Sequence, residues 1–98
     1  MSADGNWSLV VATPMGDRRA TLSVTTDGST LKGSQMAEGK SAEIFDGAVN
    51  GNEVSWKVSI TEPMPMTLEF NGTINGEEVS GSVKLGDFGS ASFSGTRA

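Results

Sequence analysis

Strong two-residue turn signals divide this chain at regular intervals, and their spacing limits the fold more than any other feature of the sequence. Pairs that favour tight β-hairpin turns occur at Asp27-Gly28, Asn50-Gly51 and Asn75-Gly76. The segments around them repeat, because residues 45–55 align with residues 70–80, and residues 93–96 restate the start of both. A unit of about 24 residues therefore fills the chain four times, which predicts four consecutive hairpins.

Looser connections lie between the tight turns, and together they separate eight predicted strands. These are residues 6–12, 18–26, 30–37, 41–49, 53–61, 65–74, 78–85 and 88–97. Apolar and polar residues alternate along them, most clearly at Val54, Trp56, Val58 and Ile60, and no stretch has a helical period of useful length. Eight antiparallel strands with one apolar face close most economically into an up-and-down barrel. The sequence predicts an all-β, eight-stranded antiparallel up-and-down β-barrel without substantial helix, as one domain over residues 1–98, with a β-sandwich as the less favoured alternative.

Composition excludes several kinds of chemistry. The chain has no His, Cys or Tyr, so a Ser-His-Asp triad, a Cys nucleophile and a His/Cys zinc site cannot form, and no metal or cofactor is predicted. Its net charge of −5 argues against nucleic acid and against an anionic membrane surface. The longest apolar run, residues 9–12, is too short to span a membrane, and no signal peptide precedes Trp7. A cytoplasmic protein is the default expectation, although a mature secreted fragment would look the same.

The first and last predicted strands carry residues suited to closing a barrel. Trp7 follows Gly5-Asn6 in the first strand, and Arg97 ends the last. A guanidinium lying across an indole would join these strands through a cation–π contact. Because alternate turns of a meander fall at opposite ends, the tight turns share this sealed end. The longer connections with Pro and Met lie at the other end, where we predict a ligand mouth.

A family resemblance extends over essentially the whole chain and is carried by five segments. They are Gly5-Asn6-Trp7, residues 13–16, residues 63–66, residues 81–89, and Phe93-Ser94-Gly95-Thr96-Arg97. In these the chain resembles a small, uncharacterised bacterial domain of the calycin type, similar to segments appended to amidohydrolase-type proteins. The resemblance implies a lipocalin-like barrel. It implies no reaction and no catalytic residue.

Strand alternation identifies inward positions near the predicted mouth. Arg18 shares a face with Ala20, and Glu43 shares one with Phe45, although Ile44 competes for that face and a bulge is the alternative. The predicted ligand-binding set is Met15, Arg18, Gln35, Glu43, Ile60, Met64, Met66, Leu85 and Phe88. A largely apolar ring with few polar groups suits a small, mostly apolar molecule. Residue by residue, the favoured interpretation is structural: Arg18 and Glu43 as solvated rim residues, and the methionines as side chains that fill gaps in the core.

Inward glycines recur along the predicted strands and have two interpretations. They lie at Gly33, Gly47, Gly72, Gly81 and Gly95. Glycine permits the strong bending that a small barrel needs, which is the favoured interpretation, and it would alternatively leave room for a ligand. Asp46, beside Gly47, predicts a bulge rather than a catalytic acid.

Three functional hypotheses follow. The first is a binding module for a small apolar or amphipathic molecule at the loop-rich end. The second is a cofactor-free enzyme, isomerase- or cyclase-like, in which Arg18 and Glu43 polarise a substrate or transfer a proton. This hypothesis requires Glu43 to point inward. The third is a structural or interaction domain with a packed core, for which a homodimer through outward-facing Val10 and Met36 is conceivable.

Overall fold

A computed structural model of the chain describes residues 4–13, 16–37, 40–60, 65–86 and 89–97. Within these ranges the secondary structure consists of β-strands and turns, with no helix. The strands are β1 (Gly5–Thr13), β2 (Gly16–Asp27), β3 (Thr30–Ala37), β4 (Lys40–Glu43), β5 (Phe45–Asn50), β6 (Glu53–Ile60), β7 (Met66–Asn75), β8 (Glu78–Leu85) and β9 (Ser90–Arg97).

The strands form one closed antiparallel sheet. β1 pairs with β2 on one side and with β9 on the other, so the first and last strands meet. β3 pairs with β4 through residues 34–37 and with β5 through Thr30 and Leu31, so β4 and β5 together make the fourth strand of the wall. The remaining pairs join each strand to the next in sequence. The predicted eight-stranded antiparallel barrel is confirmed.

The fourth strand differs from the prediction because it is broken. Instead of a continuous strand over 41–49, β4 and β5 flank Ile44, and the pairing with β6 shifts register between Phe45 and Ala48. Asp46 has a φ of 51°, the left-handed conformation found at bulges. The bulge expected at Asp46 is therefore present in β5.

Glu43 points to the outer face of the barrel and not to the interior as expected. Ile44 takes the core position, where it is 6% exposed, and its N–H donates to the carbonyl of Gly33 at 3.0 Å. Glu43 pairs with Ser34, and both side chains are exposed on the outer face of the barrel. The prediction that Glu43 faces the interior is wrong. Glu43 does share a face with Phe45, but both lie on the outer wall, because the parity counted from Gly47 and Val49 does not continue through the bulge at Asp46.

Three aromatic rings fill the middle of the barrel. Trp56 stacks on Phe70 with ring centroids 4.9 Å apart, and Phe93 meets both edge to face at 5.8 and 5.2 Å. Burying each such side chain stabilises the fold by about 1.5–3 kcal/mol. A Cβ at Gly72 would lie 2.8 Å from Cζ of Phe93. The space at this glycine is therefore used by close packing and does not form a ligand cavity.

One end of the barrel is sealed as the sequence predicts. The guanidinium carbon of Arg97 lies 4.4 Å from the Trp7 ring centroid, and these two residues are paired across β1 and β9. Nη1 of Arg97 donates to the carbonyl of Asp4 at 2.8 Å, and its Nε lies 3.8 Å from a carboxylate oxygen of Glu77. The Asp4 carboxylate accepts from the backbone N–H of Thr26. These contacts join β1 and β9 to the end of β2 and to the turn between β7 and β8.

Candidate functional site

The two ends of the barrel differ in how they cover their inward apolar side chains. At the sealed end, Trp7, Val24, Leu31 and Val79 are each at most 3% exposed. The space that these residues enclose with their neighbours has a volume of about 10 Å³, which is room for the centre of about one water molecule. The sealed half of the interior therefore holds no organic ligand.

At the loop-rich end, inward side chains keep part of their surface exposed. We define the mouth as the inward side chains near this end that are at least partly exposed in the described ranges, which are Arg18, Ala37, Ala42, Met66, Leu68, Leu85 and Ala91; Val11 and Val58, at the same level, are buried. Their orientation follows from the register. Ala42 pairs with buried Gln35, Leu68 with buried Val58, and Ala91 with fully buried Val83. Each apolar member is partly exposed, so the interior at this end presents apolar surface to solvent.

Small side chains widen this end. Ala37, Ala42 and Ala91 occupy inward positions on three different strands, and Ala20 lies on a fourth. An eight-stranded barrel is only just wide enough for its side chains to fill it. Alanine at these positions leaves more width than the branched and aromatic residues of the middle layer.

Two polar side chains on the inward face belong to this half of the barrel. Gln35 is 8% exposed, and its Oε1 accepts a hydrogen bond from Nε1 of Trp56 at 3.1 Å. Arg18 pairs with buried Val11, which places it on the inward face, and its side chain is exposed at the rim. The mouth thus combines an apolar wall with an amide below it and a cation at its edge.

The structure brings together part of the predicted ligand-binding set. Arg18, Gln35, Met66 and Leu85 lie on the inward face of the loop-rich half, whereas Glu43 lies on the outer wall. Met15, Met64 and Phe88 lie outside the described residues. Ile60 ends β6, and its side chain also lies outside the description.

Sequence reasoning missed four residues of the mouth. These are Ala37, Ala42, Leu68 and Ala91. The signal was available for Ala37, which follows Gln35 by two residues, and for Leu68, which lies between Met66 and Phe70 on the same face. Ala42 could not be found in this way, because the parity counted back from Gly47 changes at the Asp46 bulge.

A second concavity lies on the outer wall. It has a volume of about 480 Å³ and crosses β5 to β8. Its lining is mainly hydroxyl and amide side chains, among them Asn50, Ser55, Asn71, Thr73 and Ser82, with the carboxylate of Glu53 at one side. It is an open groove on the solvated face, and none of the mouth residues lines it.

Among the described residues, no group of three or more acidic side chains is placed to hold a metal ion. The same part of the chain contains no helix of the length and apolar character needed to cross a membrane.

Comparison with known proteins finds no relative. No protein-family model matches the chain, and neither the curated proteins nor the solved structures contain a detectable match.

Proposed function

We propose that this barrel is a binding module for a small, mostly apolar or amphipathic ligand, which enters the mouth and rests above the aromatic rings of the middle layer. One observation carries the proposal. In the described ranges, inward apolar side chains at the sealed end are buried apart from the partly exposed Val49, whereas six at the loop-rich end are partly exposed beside the buried Val11 and Val58. Apolar surface inside a concave opening, accompanied by a few polar groups, is the usual character of a small-molecule site.

The filled middle of the barrel limits the size of the ligand. Trp56, Phe70 and Phe93 contact one another across the interior, so the ligand occupies the mouth and not the full length of the barrel. Arg18 at the rim suits a polar group at the outer end of an amphipathic ligand. The calycin-like relationship remains part of this proposal, supported by the barrel and by the contact between Trp7 and Arg97.

The alternatives have less support. A cofactor-free enzyme using Arg18 and Glu43 loses its internal carboxylate, since Glu43 lies on the outer wall. An interaction domain would use apolar residues on the outside of the barrel. Met36 and Phe45 are exposed there, at 54% and 41%, but isolated exposed apolar residues are normal on protein surfaces.

The proposal is tested by titrating ¹⁵N-labelled protein with ethylbenzene, a compact apolar probe, and following the backbone amides by NMR. We expect saturable shifts centred on Ala37, Ala42, Leu85 and Ala91. Shifts that fail to saturate, or that centre on the sealed end or the outer groove, would overturn the proposal.

A matched pair of variants on one strand separates the mouth from the outer wall. Ala42→Phe places a ring inside the mouth and should abolish ethylbenzene binding. Ser41→Phe places the same ring on the exposed outer face of β4 and should leave binding unchanged. Circular dichroism of both variants checks that the barrel is retained. Equal effects of the two substitutions would contradict binding within the mouth.

A further inference from the structure

The Gln35 amide group has a fixed orientation because its partner is a donor only. The indole Nε1–H of Trp56 donates to Oε1 of Gln35 and can accept nothing in return. Trp56 is itself held by its stack with Phe70 at 4.9 Å. The carbonyl side of the amide is therefore committed to Trp56, and the amino group, Nε2, is directed elsewhere.

The amino group retains access to solvent. In the described part of the chain, the hydrogen bond from Trp56 is the one that the Gln35 side chain makes. No fully buried side-chain nitrogen or oxygen in these ranges lacks a partner, so Nε2 is not fully enclosed. Gln35 is nevertheless more than nine-tenths buried, at 8% exposure. Since the opposite end is sealed, we assign this residual exposure to the mouth.

Small neighbours surround Gln35 on the side of the mouth. Ala37 follows it on the inward face of β3, and Ala42 pairs directly with it from β4. Neither side chain carries a hydrogen-bond acceptor. A ligand that reaches the bottom of the mouth therefore meets a donor, Nε2–H, in an otherwise apolar surface.

We propose that the ligand is a neutral carbonyl compound whose oxygen accepts a hydrogen bond from Nε2 of Gln35. This inference rests on the proposed binding function and names its ligand class. A ketone, aldehyde or ester presents an acceptor without charge and without a competing donor. A ligand lacking an acceptor would exclude solvent from Nε2 and leave a buried donor unpaired, which is unfavourable. A cationic amine presents only donors toward Nε2.

The test compares two molecules with the same carbon skeleton, acetophenone and ethylbenzene, titrated separately into the full ¹⁵N-labelled chain. A purely apolar mouth should favour ethylbenzene by about tenfold or more, because the acetophenone carbonyl would lose its water without replacement. With the Gln35 hydrogen bond, acetophenone should bind at least as tightly as ethylbenzene. The two Nε2 proton signals of Gln35 should then shift with acetophenone and much less with ethylbenzene.

The outcomes separate this inference from the proposed function. Ethylbenzene binding at least about tenfold tighter than acetophenone, with the Gln35 signals unmoved, would overturn the carbonyl assignment and leave the binding module intact. Binding of neither probe would overturn both.

Substitution of Gln35 provides a second measurement. Gln35→Met keeps a side chain of similar length without an amide, and it should weaken acetophenone binding about tenfold while changing ethylbenzene binding less than threefold. Ser34→Ala, on the exposed face of the same strand, should leave both affinities unchanged. Should Gln35→Met fail to fold, the comparison of the two probes in the unaltered protein still decides. Equal weakening of both probes by Gln35→Met would contradict a carbonyl contact.

Discussion

At the residue scale, Arg97 makes three interactions at the sealed end of the barrel. Its guanidinium lies over Trp7, donates to the carbonyl of Asp4 and approaches Glu77. The ion pair with Glu77 contributes little, since that carboxylate is 74% exposed. The stacked contact lies on the ring of Trp7, which is 2% exposed, and it is the part that depends on a planar guanidinium, whereas the hydrogen bond to Asp4 is solvent-exposed.

We therefore expect Arg97→Lys to destabilise the barrel by about 1 kcal/mol although the charge is kept. Urea unfolding followed by circular dichroism measures the change. Arg19→Lys is the matched control. Arg19 is exposed on β2, so its substitution makes the same chemical change away from the contact between Trp7 and Arg97. A loss of stability no larger for Arg97→Lys than for Arg19→Lys would show that the stacking does not contribute.

The central rings allow a second prediction at this scale. Phe70 is 1% exposed and contacts both Trp56 and Phe93, whereas Phe45 is 41% exposed on the outer wall. Phe70→Leu should reduce the free energy of unfolding by about 1–2 kcal/mol through the lost ring contacts and the space left behind. Phe45→Leu should change it by less than about 0.5 kcal/mol. Thermal and urea unfolding of both variants would test this, and similar losses would contradict the packing described for Phe70.

At the element scale, the strands were predictable wherever turn chemistry and alternation were both local. Asn50-Gly51 and Asn75-Gly76 mark hairpin turns that the structure contains, and the strands beside them end within one or two residues of the predicted positions. The break between β4 and β5 was only partly predictable. Asp46-Gly47 signalled a bulge, but its effect on parity depends on pairing with β3 and β6, which are distant in sequence. Glu43 was misplaced for that reason.

The bulge itself leads to a prediction for β5. Asp46 adopts a φ of 51°, which costs a residue with a Cβ more than it costs glycine. Its ion pair with Lys57, 3.6 Å long, is solvent-exposed and contributes little. Asp46→Gly should therefore leave the barrel as stable as before or stabilise it by up to about 1 kcal/mol.

Asp46→Ala is the control for the lost carboxylate. It removes the same ion pair but keeps a Cβ at the positive φ, so it should be less stable than Asp46→Gly by about 1 kcal/mol. Urea midpoints of the two variants, measured side by side, report the backbone contribution alone. Equal midpoints would mean that the bulge relaxes to an ordinary strand conformation when Asp46 is replaced.

At the scale of the whole molecule, the barrel is asymmetric along its axis, and only part of this asymmetry was predictable. The sequence places its tight turns, Trp7 and Arg97 at one end because turn type and strand order are local features. The lining of the mouth was less predictable, since an alanine such as Ala91 gives a weak signal for burial. The hydrogen bond between Gln35 and Trp56 joins strands that are not neighbours in the wall, and no local pattern reveals such a pair.

This asymmetry should be visible in the rates at which backbone amides exchange with solvent through local unfolding. Some amides become exposed only when the tightly packed, sealed half of the barrel unfolds. These should exchange with solvent more slowly than amides near the mouth, where inward side chains are partly exposed. We expect strand amides around Leu22 and Val79 to exchange at least about tenfold more slowly than those around Ala37 and Leu85. Native-state hydrogen exchange measured by NMR resolves the two groups.

A bound ligand should reduce the difference in exchange rate between the two ends of the barrel by slowing exchange at the mouth. A ligand that binds the folded mouth, at about ten times its dissociation constant, slows every opening that requires its release by about tenfold. Ethylbenzene or acetophenone at that concentration should therefore slow exchange near Ala37 and Leu85, and leave unchanged any amide at the sealed end whose opening leaves the mouth intact. Equal exchange at both ends without ligand would contradict the asymmetry. Slowing confined to the sealed end would contradict binding at the mouth, because protection follows the segment whose folded form holds the ligand.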